Sequence, residues 1–152
     1  MTRKKERRQM TAVCIADTDE KIAACFPVLH ELRPHLNDAA DLVARVKRMQ
    51  AEGFIIAYVE EAGRPVACMG VRACEMLHRG PGYYVDDLVT LPDVRSRGYG
   101  AVLLDWLETK ARGEGRLAIH LDSGTQRTQA HKFYFRQGYV AAAFHFSKTL
   151  KE

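Results

Sequence analysis

No run of apolar residues in this chain approaches the roughly 20 needed to span a bilayer, so a membrane-spanning helix is not expected. The basic N-terminus lacks the apolar stretch that would make it a secretory signal. The four cysteines, Cys14, Cys25, Cys68 and Cys74, form no Cys-x-x-Cys pair, and no cluster of histidines completes a zinc set. We expect reduced thiols, no metal, and a cytoplasmic protein. There is also no internal repeat, no low-complexity segment and no linker rich in Pro, Gly or Ser.

A large excess of either charge is lacking too. The formal net charge is +4, and residues 3–8 supply five positive charges and one negative, leaving the rest of the chain close to neutral. That run reads as a solvated, mobile tail over residues 1–10, with a nucleic-acid tether as the alternative. A near-neutral body argues against nucleic acid as a partner. With 152 residues, 47% of them hydrophobic and 28% charged, the remainder (11–152) suffices for one globular domain with one core.

What the chain does have is a dense segment in its second half. Arg95-Ser96-Arg97-Gly98-Tyr99-Gly100-Ala101 opens a stretch whose apolar residues recur at Tyr99, Val102, Leu103, Trp106 and Leu107, one face of a helix. Leu88-Val89-Thr90-Leu91 and Pro92 precede it, so the local order is strand, turn, helix. Glycines allow close approach of the backbone, and the first N–H groups of a helix carry positive potential to which Arg95 and Arg97 add charge. Such a turn suits a phosphate or pyrophosphate; a glycine turn with solvated arginines is the alternative. A P-loop is excluded because no Gly-Lys-Ser/Thr follows, and the Rossmann fingerprint would need a small residue where Leu103 stands.

Elsewhere the periodicity predicts a first strand over 11–16, then a helix carrying Ile22, Cys25, Phe26, Leu29 and Leu32, with Asp17, Thr18 and Asp19 as N-cap candidates, Asp17 with Glu20 resembling a capping box, and a kink or true start at Pro27. A second helix follows Asn37 or Asp38 and stops at Gly53. Strands over 54–60 and 65–74 form a hairpin, 76–82 a loop, and 83–90 and 116–122 further strands. A last helix ends at Gly138, and 140–150 alternates as a final strand. His30 and His35, near the junction of the first helices, read as surface histidines or as substrate contacts.

Arg95-x-x-Gly98-x-Gly100 resembles the acyl-CoA-binding motif of the GNAT superfamily of N-acyltransferases. Residues 86–92 resemble the strand before that motif, and Ala130-x-x-Phe133-Tyr134-x-x-x-Gly138-Tyr139 resembles the family's later helix end. The resemblance implies an α/β fold, with a mixed central sheet of about six strands and helices on both faces. It implies an N-acetyltransferase that takes acetyl-CoA as co-substrate and a primary amine of a small molecule or peptide as acceptor, by direct attack in a ternary complex. A CoA-binding module without turnover is the alternative.

By the same resemblance, Tyr134 would protonate the leaving thiolate, and Asp86, or failing it Asp87, would help deprotonate the amine. Adjacent on a strand, these two carboxylates are expected on opposite faces, so that at most one reaches a given cleft. Leu88, Val89 and Thr90 would offer backbone to the pantetheine arm, and Arg95, Ser96, Arg97, Gly98, Tyr99, Gly100 and Ala101 would hold the pyrophosphate. Arg127 stands where many members carry Asn; it would meet a CoA phosphate instead. Only about a dozen residues follow Gly138, so the acceptor cleft would lack a wall or borrow one from a second subunit in a homodimer.

Overall fold

The computed structural model describes Arg3, Glu6 and residues 11–151; apart from Arg3 and Glu6, the expected basic tail lies outside the described residues. Two compact units divide the chain, residues 1–120 and 121–152. Among the described residues the elements run β1 (Cys14–Ile15), α1 (Asp19–Ala24), α2 (Phe26–Leu32), α3 (Ala39–Gln50), β2 (Phe54–Glu61), β3 (Arg64–Met76), β4 (Gly80–Thr90), a 3-10 turn (Pro92–Val94), α4 (Tyr99–Gly113), β5 (Ala118–Leu121) and α5 (Thr128–Arg136). The strands form one mixed sheet in the order β1-β2-β3-β4-β5.

The first helical segment is two helices, because Pro27 sits in the opening turn of α2, where its missing N–H costs nothing. Thr18, rather than Asp17, caps α1 by accepting from the Lys21 N–H at 3.3 Å, while Asp17 is engaged by the Lys21 ammonium at 2.6 Å. Asp38 caps α3, accepting from the Asp41 N–H at 2.8 Å, and Asp41 in turn accepts from the Asn37 N–H. The helix ends at Gln50, and Gly53 (φ 79°) follows in the turn into β2.

β2 and β3 pair antiparallel through the two-residue turn Ala62-Gly63, both at positive φ (50° and 75°) as a type I′ hairpin requires. The loop expected over 76–82 is shorter than that. Glu75 pairs with Pro81 and Cys74 with Gly82, so β3 and β4 run on until only 77–79 turn. β5 is likewise shorter than expected, and the Leu117 N–H before it donates to the Pro81 carbonyl.

Helices pack on both faces. Arg72 stands opposite Tyr84 and shares its side of the sheet, the side on which α2 delivers Arg33. Tyr83 therefore points the other way, and its hydroxyl meets Glu114 at the C-terminal end of α4. On α4 the buried residues are Ala101, Val102, Leu103, Leu104, Leu107 and Ala111, a 3.6-residue stripe, whereas Tyr99 and Trp106 stay half-buried. Ile22, Val28, Leu29, Leu42 and Val46 supply the core on the helical side of α1 to α3, against buried sheet residues such as Phe54, Ile56 and Cys68, while Val59 and Val71 point to the α4 side.

In the second unit α5 carries no fully buried residue. The strand expected over 140–150 does not form: residues 139–151 have no regular structure, and Val140, Phe144, Phe146 and Leu150 are exposed. Among the described residues the sheet has five strands. Alternation marks a segment able to pair, but it supplies no partner.

Candidate active site

In the first unit, β4 hands the chain to α4 through the segment 91–98. The Leu91 N–H donates to the Val66 carbonyl at 2.8 Å, and Val94 is buried, so the turn is pinned to the sheet at its base. Beyond it Ser96 (φ 72°) and Gly98 (φ 91°) both adopt the left-handed conformation, an uncommon one for a serine. Gly98 is the N-cap of α4, and no side chain caps the helix. The leading N–H groups of α4 thus have neither an intrahelical acceptor nor a side-chain one, and Arg95 and Arg97 flank them. That is a fit for a pyrophosphate.

The two arginines are engaged differently. Arg95 Nε donates weakly to the Thr90 carbonyl, at 3.4 Å. Arg97 Nη1 donates to both carboxylate oxygens of Glu61, at 2.8 and 2.9 Å, and the Tyr99 hydroxyl donates to the same carboxylate. Burial, reinforced by Glu61, pushes the Tyr99 phenol up. Leu88, Val89 and Thr90 pair with Met69, Cys68 and Ala67 of β3 along one edge of β4.

Asp86 and Asp87 lie on the same face of the sheet, contrary to the alternation expected for neighbours in a strand. Between Gly70 and Val71 the register shifts: Gly70 pairs with Asp87 but Val71 with Val85, so Asp86 is an extra residue in a β-bulge. Asp87 Oδ2 fills the space where a side chain on Gly70 would stand. Arg72, two residues from Gly70 and therefore on its side, grips Asp86 through Nε (3.1 and 3.2 Å) and Nη2 (2.5 Å). Its Nη1 reaches Glu52 at 2.8 Å, and its guanidinium lies over the Phe54 ring. From α2, Arg33 Nε donates to Asp87 Oδ1 at 2.7 Å and Nη2 to the Asp86 carbonyl at 2.9 Å.

The two acids are thus not equivalent. Asp86 is held by a forked guanidinium. Asp87 is the more buried, and burial pushes its carboxyl up from the ordinary aspartate value even though Arg33 pulls it down. His30, one turn before Arg33, stacks on Phe26 and has a buried Nδ1 without a hydrogen-bond partner.

In the second unit Tyr134 lies on α5 between Phe133 and Tyr139, with ring centroids 5.3 and 5.9 Å away. Burial raises its phenol above the ordinary value, and the charge of Arg127 opposes that. Arg127 is the exposed N-cap residue of α5, without a capping hydrogen bond of its own. Among the described residues no group of three His, Cys, Asp or Glu is arranged to hold a metal, and no helix is long and apolar enough to cross a membrane.

The model of the acetyltransferase (GNAT) family matches residues 12–139, which include the donor turn, Asp86, Asp87, Arg127 and Tyr134. The chain belongs to the GNAT family. It is 32% identical over 132 residues to YhdJ, an uncharacterised N-acetyltransferase of Bacillus subtilis strain 168, covering 86% of this chain and 93% of that one. Over 66 residues, 43% of each chain, it is 39% identical to an aminoalkylphosphonate N-acetyltransferase of Salmonella typhimurium. Among solved structures, a GNAT acetyltransferase of Staphylococcus aureus superposes with a TM-score of 0.76 at 20% identity, over 93% of this chain and all of the other. The five-stranded sheet flanked by helices is therefore the GNAT fold, and acetyl-CoA is the co-substrate this family uses.

Three side chains escaped the sequence reading: Glu61, Arg33 and Arg72. Each acts across a turn or between elements. Arg72 could have been paired with Asp86 only by knowing the hairpin register and its bulge.

Proposed function

We propose that the protein transfers the acetyl group of acetyl-CoA to a primary amine in a ternary complex. The observation that carries this reading is the uncapped, left-handed N-terminus of α4, with Arg95 and Arg97 beside it. Residues 95–101 bind the pyrophosphate through backbone N–H groups and the two guanidinium groups, and Arg127 takes a further phosphate. Bound acetyl-CoA supplies an activated acyl group, a thioester whose carbonyl carbon accepts a nitrogen nucleophile.

An alkyl ammonium with a pKa near 10.4 must lose a proton before it can attack. Asp87 takes it, because a carboxylate made more basic by burial is the better acceptor; Asp86, pinned by Arg72, holds the cationic end of the acceptor. Backbone N–H groups at Leu88 or Val89 polarise the carbonyl oxygen, with Thr90 extending that edge. Tyr134 gives its proton to the sulfur as the carbon–sulfur bond breaks. A phenol with an ordinary pKa of roughly 10 is already protonated at neutral pH, and burial moves that of Tyr134 further up.

The four free cysteines fit a reducing compartment, and we place the reaction in the cytoplasm. No cysteine lies in the donor turn, and Cys68, near Asp87, is fully buried with its thiol pushed up by that burial, which favours direct attack over an acetyl-cysteine. A CoA-binding module without turnover is the second reading, favoured by the arginine partners that both carboxylates already hold. Incubation of acetyl-CoA with a panel of amines, read by free thiol, separates the two. Small amines bearing a phosphonate come first, because of the Salmonella relative's name. Thiol release that depends on the amine supports transfer; CoA binding with no release from any amine class supports the module.

A further inference from the structure

Glu61 and Arg64 face each other across the β2–β3 hairpin turn, and each sends its side chain to the segment between β4 and α4. Glu61 meets Arg97 and Tyr99; Arg64 Nη2 meets Asp93 Oδ2 at 2.7 Å. The two contacts bracket the left-handed Ser96 and its neighbours from both sides. Glu61 occupies one terminal nitrogen of Arg97, and the Arg97 side chain remains half exposed. The guanidinium is therefore fixed in direction, while among the described residues its remaining N–H groups meet no second carboxylate. Tyr99 is the first residue of α4, so the same carboxylate also holds the end of the helix whose N–H groups are uncapped.

We infer that Glu61 is a positioning residue for the acetyl-CoA donor: it aims Arg97 and anchors the start of α4, so that the turn is arranged for phosphate before the donor arrives. The inference rests on the proposed donor role of the turn. It differs from the opposite reading of the same contact, in which Glu61 is a resident anion that the donor must displace. Preorganisation lowers the ordering cost of binding, whereas a competing carboxylate would raise the cost.

The test is calorimetric titration of CoA into the wild-type protein, Glu61→Gln, Arg97→Ala and the double variant, together with kcat and KM for acetyl-CoA. Glu61→Gln should weaken CoA about fivefold to tenfold, the size of one charge-assisted contact, and raise KM to match. The kcat at saturating acetyl-CoA should fall no more than about twofold. Removing Glu61 should cost less binding in the Arg97→Ala background than in the wild type, because with Arg97 gone only the Tyr99 contact is left to break. Tighter or unchanged CoA binding by Glu61→Gln overturns the inference, as does full additivity of the two substitutions. If the wild-type protein itself binds no CoA, the donor reading fails and this inference fails with it, a result distinguishable from failure of Glu61 alone.

Discussion

A Cβ on Gly70 would stand 2.5 Å from Asp87 Oδ2 and 2.6 Å from the tip of the Phe54 ring, so the space above this glycine belongs to the carboxylate. Neither neighbour yields easily: Asp87 is held by Arg33, and Phe54 is 3% exposed beneath Arg72. Gly70→Ala should therefore destabilise the fold by about 1–3 kcal/mol, the usual cost of overpacking. It should also lower kcat by moving Asp87. Thermal denaturation and turnover of the same preparation check both; a variant with unchanged kcat would separate the glycine from catalysis.

With its carboxyl raised by burial, Asp87 should set the acid limb of kcat/KM above the ordinary aspartate value. Arg33 is the group that holds this carboxyl down, so Arg33→Ala should move the limb to still higher pH. Asp87→Asn should cost about 10²–10³ in kcat, as loss of a general base does, and abolish the limb. Asp86→Asn should act mainly on the KM of the acceptor. An acid limb that is the same in Asp87→Asn and the wild type would rule out Asp87 as the base.

Tyr134→Phe keeps the ring contacts with Phe133 and Tyr139 and removes only the hydroxyl. Loss of an acid in the rate-limiting step should lower kcat by about 10²-fold or more with little change in Tm. The defect should shrink for an acyl donor with a more acidic thiol, which leaves without help. Equal defects for both donors would argue against proton transfer.

Much of this was legible in the chain because it depends on local rules. The strand-turn-helix at 88–107 follows from apolar periodicity, Gly98 and Pro92, and the split at Cys25 follows from Pro27. What depends on register was not legible. The bulge that turns Asp86 and Asp87 to one face comes from the way two strands align, and neither aspartate announces it. Reading strict alternation across a bulge inverts one residue, and here that residue was a candidate base. Residues 140–150 show the same limit from the other side, since their alternation is real but no partner strand is formed.

Glu114 ties the end of α4 to β4, accepting from Lys110 (2.5 Å), Tyr83 (2.5 Å) and Arg116 (3.0 Å), and these donors pull its carboxyl down to about 2. A folded pKa below the ordinary 4.5 means that its contribution is present above pH 4.5 and is lost as the pH falls toward 2. The side chain is 37% exposed, so solvent screening leaves about 1 kcal/mol of the larger value the shift would suggest. Glu114→Gln should accordingly lower Tm by a few degrees at neutral pH and in low salt. The gap should close near pH 2. A gap that persists there would place its origin in packing rather than charge.

The hairpin that carries Glu61 and Arg64 turns on Ala62, whose φ of 50° is unfavourable for a residue with a Cβ and no polar group to compensate. A type I′ turn favours Asn at this place, followed by the Gly that Gly63 already provides. Ala62→Asn should stabilise the protein by about 1 kcal/mol, the lower end of the cost of a left-handed residue, and raise Tm by about 2–4 °C. Because Glu61 and Arg64 flank the turn, a firmer hairpin should also hold Arg97 and Asp93 more rigidly. CoA should then bind as well as or better than it does to the wild-type chain. Stabilisation accompanied by weaker CoA binding would mean that the hairpin has to move when the donor arrives, and that its contacts with the turn are released rather than kept.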